Sequence, residues 1–161
     1  LANQAKKNNV YFDHSEIGYN YKLPNINCAI GYAQISKIKK FKKIKIKNYL
    51  LYKKYLKNVD ILDAPHYSDS NYWLSCIKFK TKKNVLKYSI NYLFKKKIIA
   101  RPVWKLLPSQ KQFKKYQKFD FEKSKKTIFN MLCIPSSTSL KNNEIKKISY
   151  HLNNLALKFK K

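Results

Sequence analysis

Arginine and glycine are almost missing from this chain: Arg101 is the single arginine and Gly18 and Gly31 the only glycines in 161 residues. Two glycines supply neither a phosphate-cradling P-loop nor a Gly-x-Gly-x-x-Gly turn, both of which need several close backbone approaches. Acidic residues number eight, and no two have a spacing that demands paired acid/base work. The three cysteines, Cys28, Cys76 and Cys133, form no Cys-x-x-Cys pair and have no histidine at ligand spacing, so no metal site is expected. Each stands among apolar neighbours and is expected to be a buried free thiol in a reducing compartment, which points to the cytoplasm. No apolar run approaches the roughly 18 residues of a membrane span. The opening Leu1-Ala2-Asn3-Gln4 has neither a leader pattern nor a Met, as expected of a fragment or of a chain whose beginning is missing.

Lysine is abundant instead. It makes up all but one of the 36 basic residues, and the formal charge is +28. Such a charge invites a nucleic-acid or anionic-membrane reading. Specific readers of nucleic acid rely on arginine, however, whose planar fork contacts phosphates and guanine edges with two hydrogen bonds at once. Lysine here rises together with Asn, Ile, Tyr and Phe, all with AT-rich codons, while Gly, Arg, Ala and Pro have GC-rich ones. The excess therefore reads as base composition filling tolerant surface positions. No specific nucleic-acid partner is expected, although the chain should adhere to polyanions at low salt. An apolar content of 44% with 15% aromatics indicates a folded domain with a real core.

Pro24 is placed to open a long helix. Apolar residues then recur through Ile26, Ile30, Ala33, Phe41, Ile44, Leu51 and Tyr55 at helical spacing. Residues 58–71, with Pro65 and several Asp and Ser, read as a connection. Residues 72–79 are aromatic and β-prone, 84–97 have helical spacing, and 98–104 form a second strand that Pro102 confines to an edge. A short helix over 121–131, an extended stretch at 132–135, a hydroxyl-rich loop at 136–139 and a last helix over 142–159 complete the order. The expectation is an α/β chain of the α+β kind: a small helix-covered sheet plus a long connecting helix. Its divisions fall at 1–23, 24–57 and 58–161, and the first two need something further to pack against.

Against this compositional drift, the rare residue types gather at a few places. His14-Ser15-Glu16-Ile17-Gly18-Tyr19-Asn20-Tyr21-Lys22-Leu23-Pro24-Asn25-Ile26 and the following Ala29-Ile30-Gly31-Tyr32-Ala33-Gln34 closely resemble the signature of the DegT/DnrJ/StrS sugar aminotransferases. Arg101-Pro102-Val103-Trp104-Lys105-Leu106-Leu107 is similar to the family's Arg-Pro-x-Trp strand. Cys133-Ile134-Pro135-Ser136-Ser137-Thr138-Ser139-Leu140 is similar to its loop before the terminal helix. The Leu-Leu and Ser-Ser-Thr variants lean toward the branch that makes 4-amino-4,6-dideoxy-N-acetylhexosamines of the bacillosamine and legionaminic-acid type.

The resemblance implies the C-terminal domain of a fold-type-I transferase dependent on pyridoxal phosphate. It implies a homodimer formed through loop 13–23 and the long helix, with the cofactor at the interface. Asn20 would then bind the cofactor phosphate of the partner subunit. Arg101 would meet a diphosphate or carboxylate of the substrate, with His14, Tyr19 and Tyr21 beside it. Ser136, Ser137 and Thr138 either touch a ligand or merely cap the loop. The implied reaction moves an amino group from glutamate to a nucleotide-linked 4-keto-6-deoxy sugar for bacterial surface glycans. Two departures stand out: Lys22 replaces the usual arginine, and Pro108 stands near where the family has histidine. The family's Schiff-base lysine and pyridinium-binding aspartate belong to upstream motifs that this sequence does not contain, so this chain alone should not transaminate. Two other readings stay open: a Lys-rich polyanion-binding module, supported by the charge and interleaved aromatics, and an inactive degraded gene product.

Overall fold

The computed structural model describes residues 17, 19, 21 and 23–160. Within these, helices α1 (Asn25–Ile35) and α2 (Ile38–Tyr55) are followed by strands β1 (Val59–Ile61) and β2 (Ser75–Phe79). Helix α3 (Leu86–Lys95), strand β3 (Arg101–Pro102) and two single 3₁₀ turns, Leu107–Ser109 and Lys111–Phe113, come next. Helix α4 (Glu122–Ile128), strand β4 (Met131–Ile134) and helix α5 (Asn142–Lys160) complete the chain. The strands form one sheet in the order β1-β2-β4-β3. All three pairings are antiparallel, the arrangement expected of an α+β domain.

One sheet face is dry. Along β2, Ser75, Ile77 and Phe79 point inward, while Leu132 and Ile134 do so from β4. They meet Tyr52 and Leu56 at the end of α2, Val85 and Leu93 around α3, and the Ile145-Ile148-Leu152-Leu155 stripe of α5. That stripe has the three- and four-residue spacing of a core-facing helix. Asn153 on α5 also finishes α2: its Nδ2 donates to Tyr55 O (3.0 Å) and its Oδ1 accepts from Lys57 N (2.9 Å). The helix end thus keeps its polar groups paired although it abuts the core.

Glu144 starts α5 by accepting from the Lys141 N–H (2.7 Å), the returning half of a capping box. Helix α3 stops in a Schellman motif, with Ile98 N–H bonded to Leu93 O and Lys97 N–H to Phe94 O (both 2.9 Å). The left-handed residue that this motif needs is Lys97, at φ 60°, where glycine is the usual occupant.

Four expectations require correction. The long helix over 24–57 is interrupted at Ser36 and Lys37, where Lys37 N–H reaches back only three residues to Gln34 O (2.9 Å). Its buried residues are Asn48, Tyr49 and Tyr52 rather than the purely apolar series, and none of α1 is buried. Strand β1 lies inside the presumed connection, and the strand expected over 98–104 pairs only at Arg101–Pro102. The cysteines are not buried: Cys28 is exposed, whereas Cys76 and Cys133 are half-buried neighbours on adjacent strands.

Candidate functional site

The loop after β4, 83 to 91 positions away in sequence, meets α2 in space. The stretch after β4 carries backbone carbonyls that cannot continue the sheet, and α2 satisfies three in succession. Tyr52 Oη donates to Pro135 O (2.8 Å), Lys45 Nζ to Ser136 O, and Asn48 Nδ2 to Ser137 O (2.9 Å). Residues 45, 48 and 52 lie one helical turn apart, so one stripe of α2 grips one extended stretch of loop. Lys45 Nζ also donates to Trp73 O (3.1 Å), and Ser136 Oγ donates to the same carbonyl (3.0 Å). Burial lowers the Lys45 ammonium's pKa from its ordinary value, and these carbonyls compensate its lost hydration. Sequence reading missed this stripe because Lys, Asn and Tyr on a lysine-rich helix look like a solvated face.

The loop's own hydroxyls are largely committed. Ser136 Oγ holds Trp73 O, and Ser137 Oγ contacts Ser139 Oγ (2.8 Å) and accepts from Ser139 N–H (3.2 Å). This favours the capping role for the Ser-Ser-Thr-Ser stretch over ligand contact. Beside it, Trp73 and Trp104 lie with ring centroids 5.7 Å apart, so the chain that leaves β3 comes back over the start of β2. Both indoles remain largely exposed.

Arg101 opens β3 at the sheet edge, opposite Cys133, and is exposed. No ion pair involves it among the described residues, so it remains available to an anion. Tyr19 and Tyr21 are exposed and stacked on one another (5.6 Å, 10° between planes). Neither packs under a loop. His14 and Asn20 lie outside the described residues. Pro108 sits in the first 3₁₀ turn and brings no titratable group there. His151, which shares a 3.2 Å contact between its Nδ1 and Tyr92 Oη, packs between α5 and α3.

Lys45, whose amine burial has made less basic, is bound to two carbonyls and cannot serve as a free nucleophile. No group of three or more His, Cys, Asp or Glu side chains among the described residues is placed to hold a metal ion. No helix among them is long and apolar enough to cross a membrane.

The model of the DegT/DnrJ/EryC1/StrS aminotransferase family matches residues 1–153. The chain belongs to that family. Among relatives, EpsN of Bacillus subtilis (strain 168), assigned as a pyridoxal phosphate-dependent aminotransferase, is 31% identical over 153 residues. The match covers 89% of this chain and 39% of EpsN, so the chain spans well under half of that relative's length. Solved structures give the same fold. Spr1654 from Streptococcus pneumoniae, assigned as a sugar aminotransferase and solved in its PMP form, superimposes with a TM-score of 0.75 at 16% identity, covering 91% of this chain and 38% of that one. PseC of Helicobacter pylori, an aminotransferase involved in the biosynthesis of pseudoaminic acid, gives 0.73 at 18% identity, over 91% of this chain and 41% of that one. For this DegT/DnrJ/EryC1/StrS member, the small antiparallel sheet with its helices is thus part of an aminotransferase fold.

Proposed function

We propose that this chain is the C-terminal portion of a sugar aminotransferase that uses pyridoxal phosphate. It supplies one wall of the substrate pocket and the cross-subunit phosphate contact, while the Schiff-base lysine comes from the preceding portion. The observation that carries this reading is the cluster at one sheet end. There Arg101, exposed and without an ion-pair partner among the described residues, shares the sheet with the loop at 135–139 that α2 holds in place. A lone cation on a fixed edge suits the diphosphate of a nucleotide sugar or the carboxylate of glutamate, because its fork binds two oxygens at once. When bound, the cofactor supplies the electron sink for amino transfer. This chain's part is to bind and orient: Asn20 is assigned to the phosphate of the partner's cofactor, Arg101 to substrate oxygens, and Tyr19, Tyr21 and His14 to the pocket rim.

The exposed apolar residues of α1, Ile26, Ile30 and Ile35, all facing solvent in the single chain, support a homodimer formed through loop 13–23 and this helix. A nucleotide-linked 4-keto-6-deoxy sugar as acceptor and glutamate as donor rest on the motif variants and the family. The reaction would take place in the cytoplasm, where such substrates are made.

The test joins this chain to the coding sequence directly upstream and assays glutamate-dependent amination of a nucleotide-linked 4-keto sugar. The joined protein should transaminate, and Arg101→Ala should raise KM by about 10- to 100-fold, the scale of one lost charge-assisted contact. Arg101→Lys should recover only part of it. A joined protein that binds the cofactor but has a KM indifferent to Arg101→Ala overturns the assignment of Arg101. One that neither binds the cofactor nor transaminates overturns the whole reading.

A further inference from the structure

Cys76 and Cys133 are 57 positions apart, yet β2 and β4 place them directly opposite one another with their sulfurs 3.5 Å apart. The register fixes which kind of cross-strand pair they are. Phe79 N–H bonds to Asn130 O (2.9 Å) across the same two strands, and hydrogen-bonded pairs alternate along an antiparallel ladder. Positions 77:132 and 75:134 are therefore hydrogen-bonded pairs, and 76:133 is a non-hydrogen-bonded one. The backbone of Cys76 faces the other way, where its carbonyl accepts from Leu62 N–H (2.9 Å). Non-hydrogen-bonded partners have the closer Cα atoms, about 4.5 Å apart, which lies within the range that a disulfide spans. Both side chains lie on the sheet face opposite the core and are half-buried, so a small molecule can reach them. In the next strand Arg101 stands opposite Cys133, which adds a cation to the same row.

We propose that Cys76 and Cys133 form a redox modification site, which a low-molecular-weight disulfide of the glutathione class converts to an intramolecular cross-strand disulfide. In the first step the Cys76 thiolate attacks one sulfur of the oxidant. The oxidant's S–S bond breaks, and one small thiol leaves with the proton that Cys76 gave up. In the second step Cys133 loses its proton and attacks the Cys76 sulfur of the mixed disulfide, releasing the second small thiol. Two protein thiols are oxidised by two electrons, the oxidant is reduced to two thiols, and both protons leave on them.

The two sulfurs share one hydrogen bond in which either thiol can donate; donation from Cys133 favours the thiolate at Cys76, lowering its pKa, and raises that of Cys133. Exposed Cys28 lies on α1 with no second cysteine beside it in the described fold, so it serves as an internal control.

The experiment exposes the full chain to oxidised glutathione and follows intact mass and peptide maps after alkylation. The expected product has lost two hydrogens, joins the Cys76 and Cys133 peptides, and reverts with dithiothreitol. Cys133→Ser should stop at a glutathione adduct on Cys76, and Cys76→Ser should form no intramolecular cross-link at Cys133. If either variant loses its circular-dichroism signature, the alanine variants and the wild-type map decide instead. A stable glutathione adduct on both cysteines of the wild type overturns the proposal. So does a cross-link through Cys28, or inertness of the pair under conditions that modify Cys28.

Discussion

Tyr52→Phe removes a single oxygen from a fully buried side chain. Its hydroxyl donates to Pro135 O (2.8 Å), and burial holds the phenol well above its ordinary pKa. The ring remains, so the packing of Phe79, Leu132 and Leu152 around it is retained and the cavity left is about one atom. A net hydrogen bond contributes about 0.5–1.5 kcal/mol, and an acceptor left dry costs about 1–3 kcal/mol. A carbonyl with a second lone pair takes the lower part of that range, so the substitution should cost about 1–2 kcal/mol. In urea that loss appears as a lower midpoint with an unchanged slope, and in a thermal melt as a fall of about 3–7 °C.

Asn48→Ala releases another carbonyl of the same stretch, that of Ser137 (2.9 Å). Because both side chains hold the same stretch of loop, the double variant should deviate from additivity by about 0.5 kcal/mol or more. A Tyr52→Phe loss below about 0.3 kcal/mol, or strict additivity with Asn48→Ala, would refute the idea that this stripe of α2 fixes the loop.

Two further perturbations test the local reasoning. Lys97 carries a positive φ in the Schellman motif that closes α3; Lys97→Gly should stabilise the chain by about 0.5–1 kcal/mol in denaturant unfolding, since only glycine adopts that conformation without strain, and a destabilised variant would contradict it. The Asp63 carboxyl, hydrogen-bonded to the Lys53 ammonium (2.7 Å), is held at about 2, below its unfolded value. Its contribution is therefore complete above the unfolded pKa and lost as pH falls through the folded one, so Asp63→Asn should lower stability near pH 8, cost progressively less from pH 5 down to pH 2, and so flatten the acid limb. An unchanged acid limb would show that the pair carries no linkage.

The family was legible in residues 14–34, 101–107 and 133–140 because the rare residue types of this chain stand there in the family's order although composition elsewhere runs toward lysine. The element order was legible too, since the stripe of α5 and the β-prone run around Ile77 and Phe79 each bury one face and carry that face's period. Other features resisted reading for identifiable reasons. Strand β1 is three residues long and lies in a segment rich in turn formers, and its pairing with β2 comes from the partner rather than from its own pattern. The buried face of α2 is Asn48, Tyr49 and Tyr52, because what it faces is a row of loop carbonyls as well as a core, and polar donors are the side chains that can satisfy both.

The sequence by itself determined the family, the apolar stripe of the last helix and most of the succession of helices and strands, properties carried by local motif and spacing. Tertiary structure decided which distant residues became neighbours. Antiparallel register set Arg101, Cys133 and Cys76 in one row across three strands, and helical pitch set Lys45, Asn48 and Tyr52 against three consecutive carbonyls. Contacts between residues dozens of positions apart depend on how strands align and where helices dock, and no local pattern in the chain encodes that.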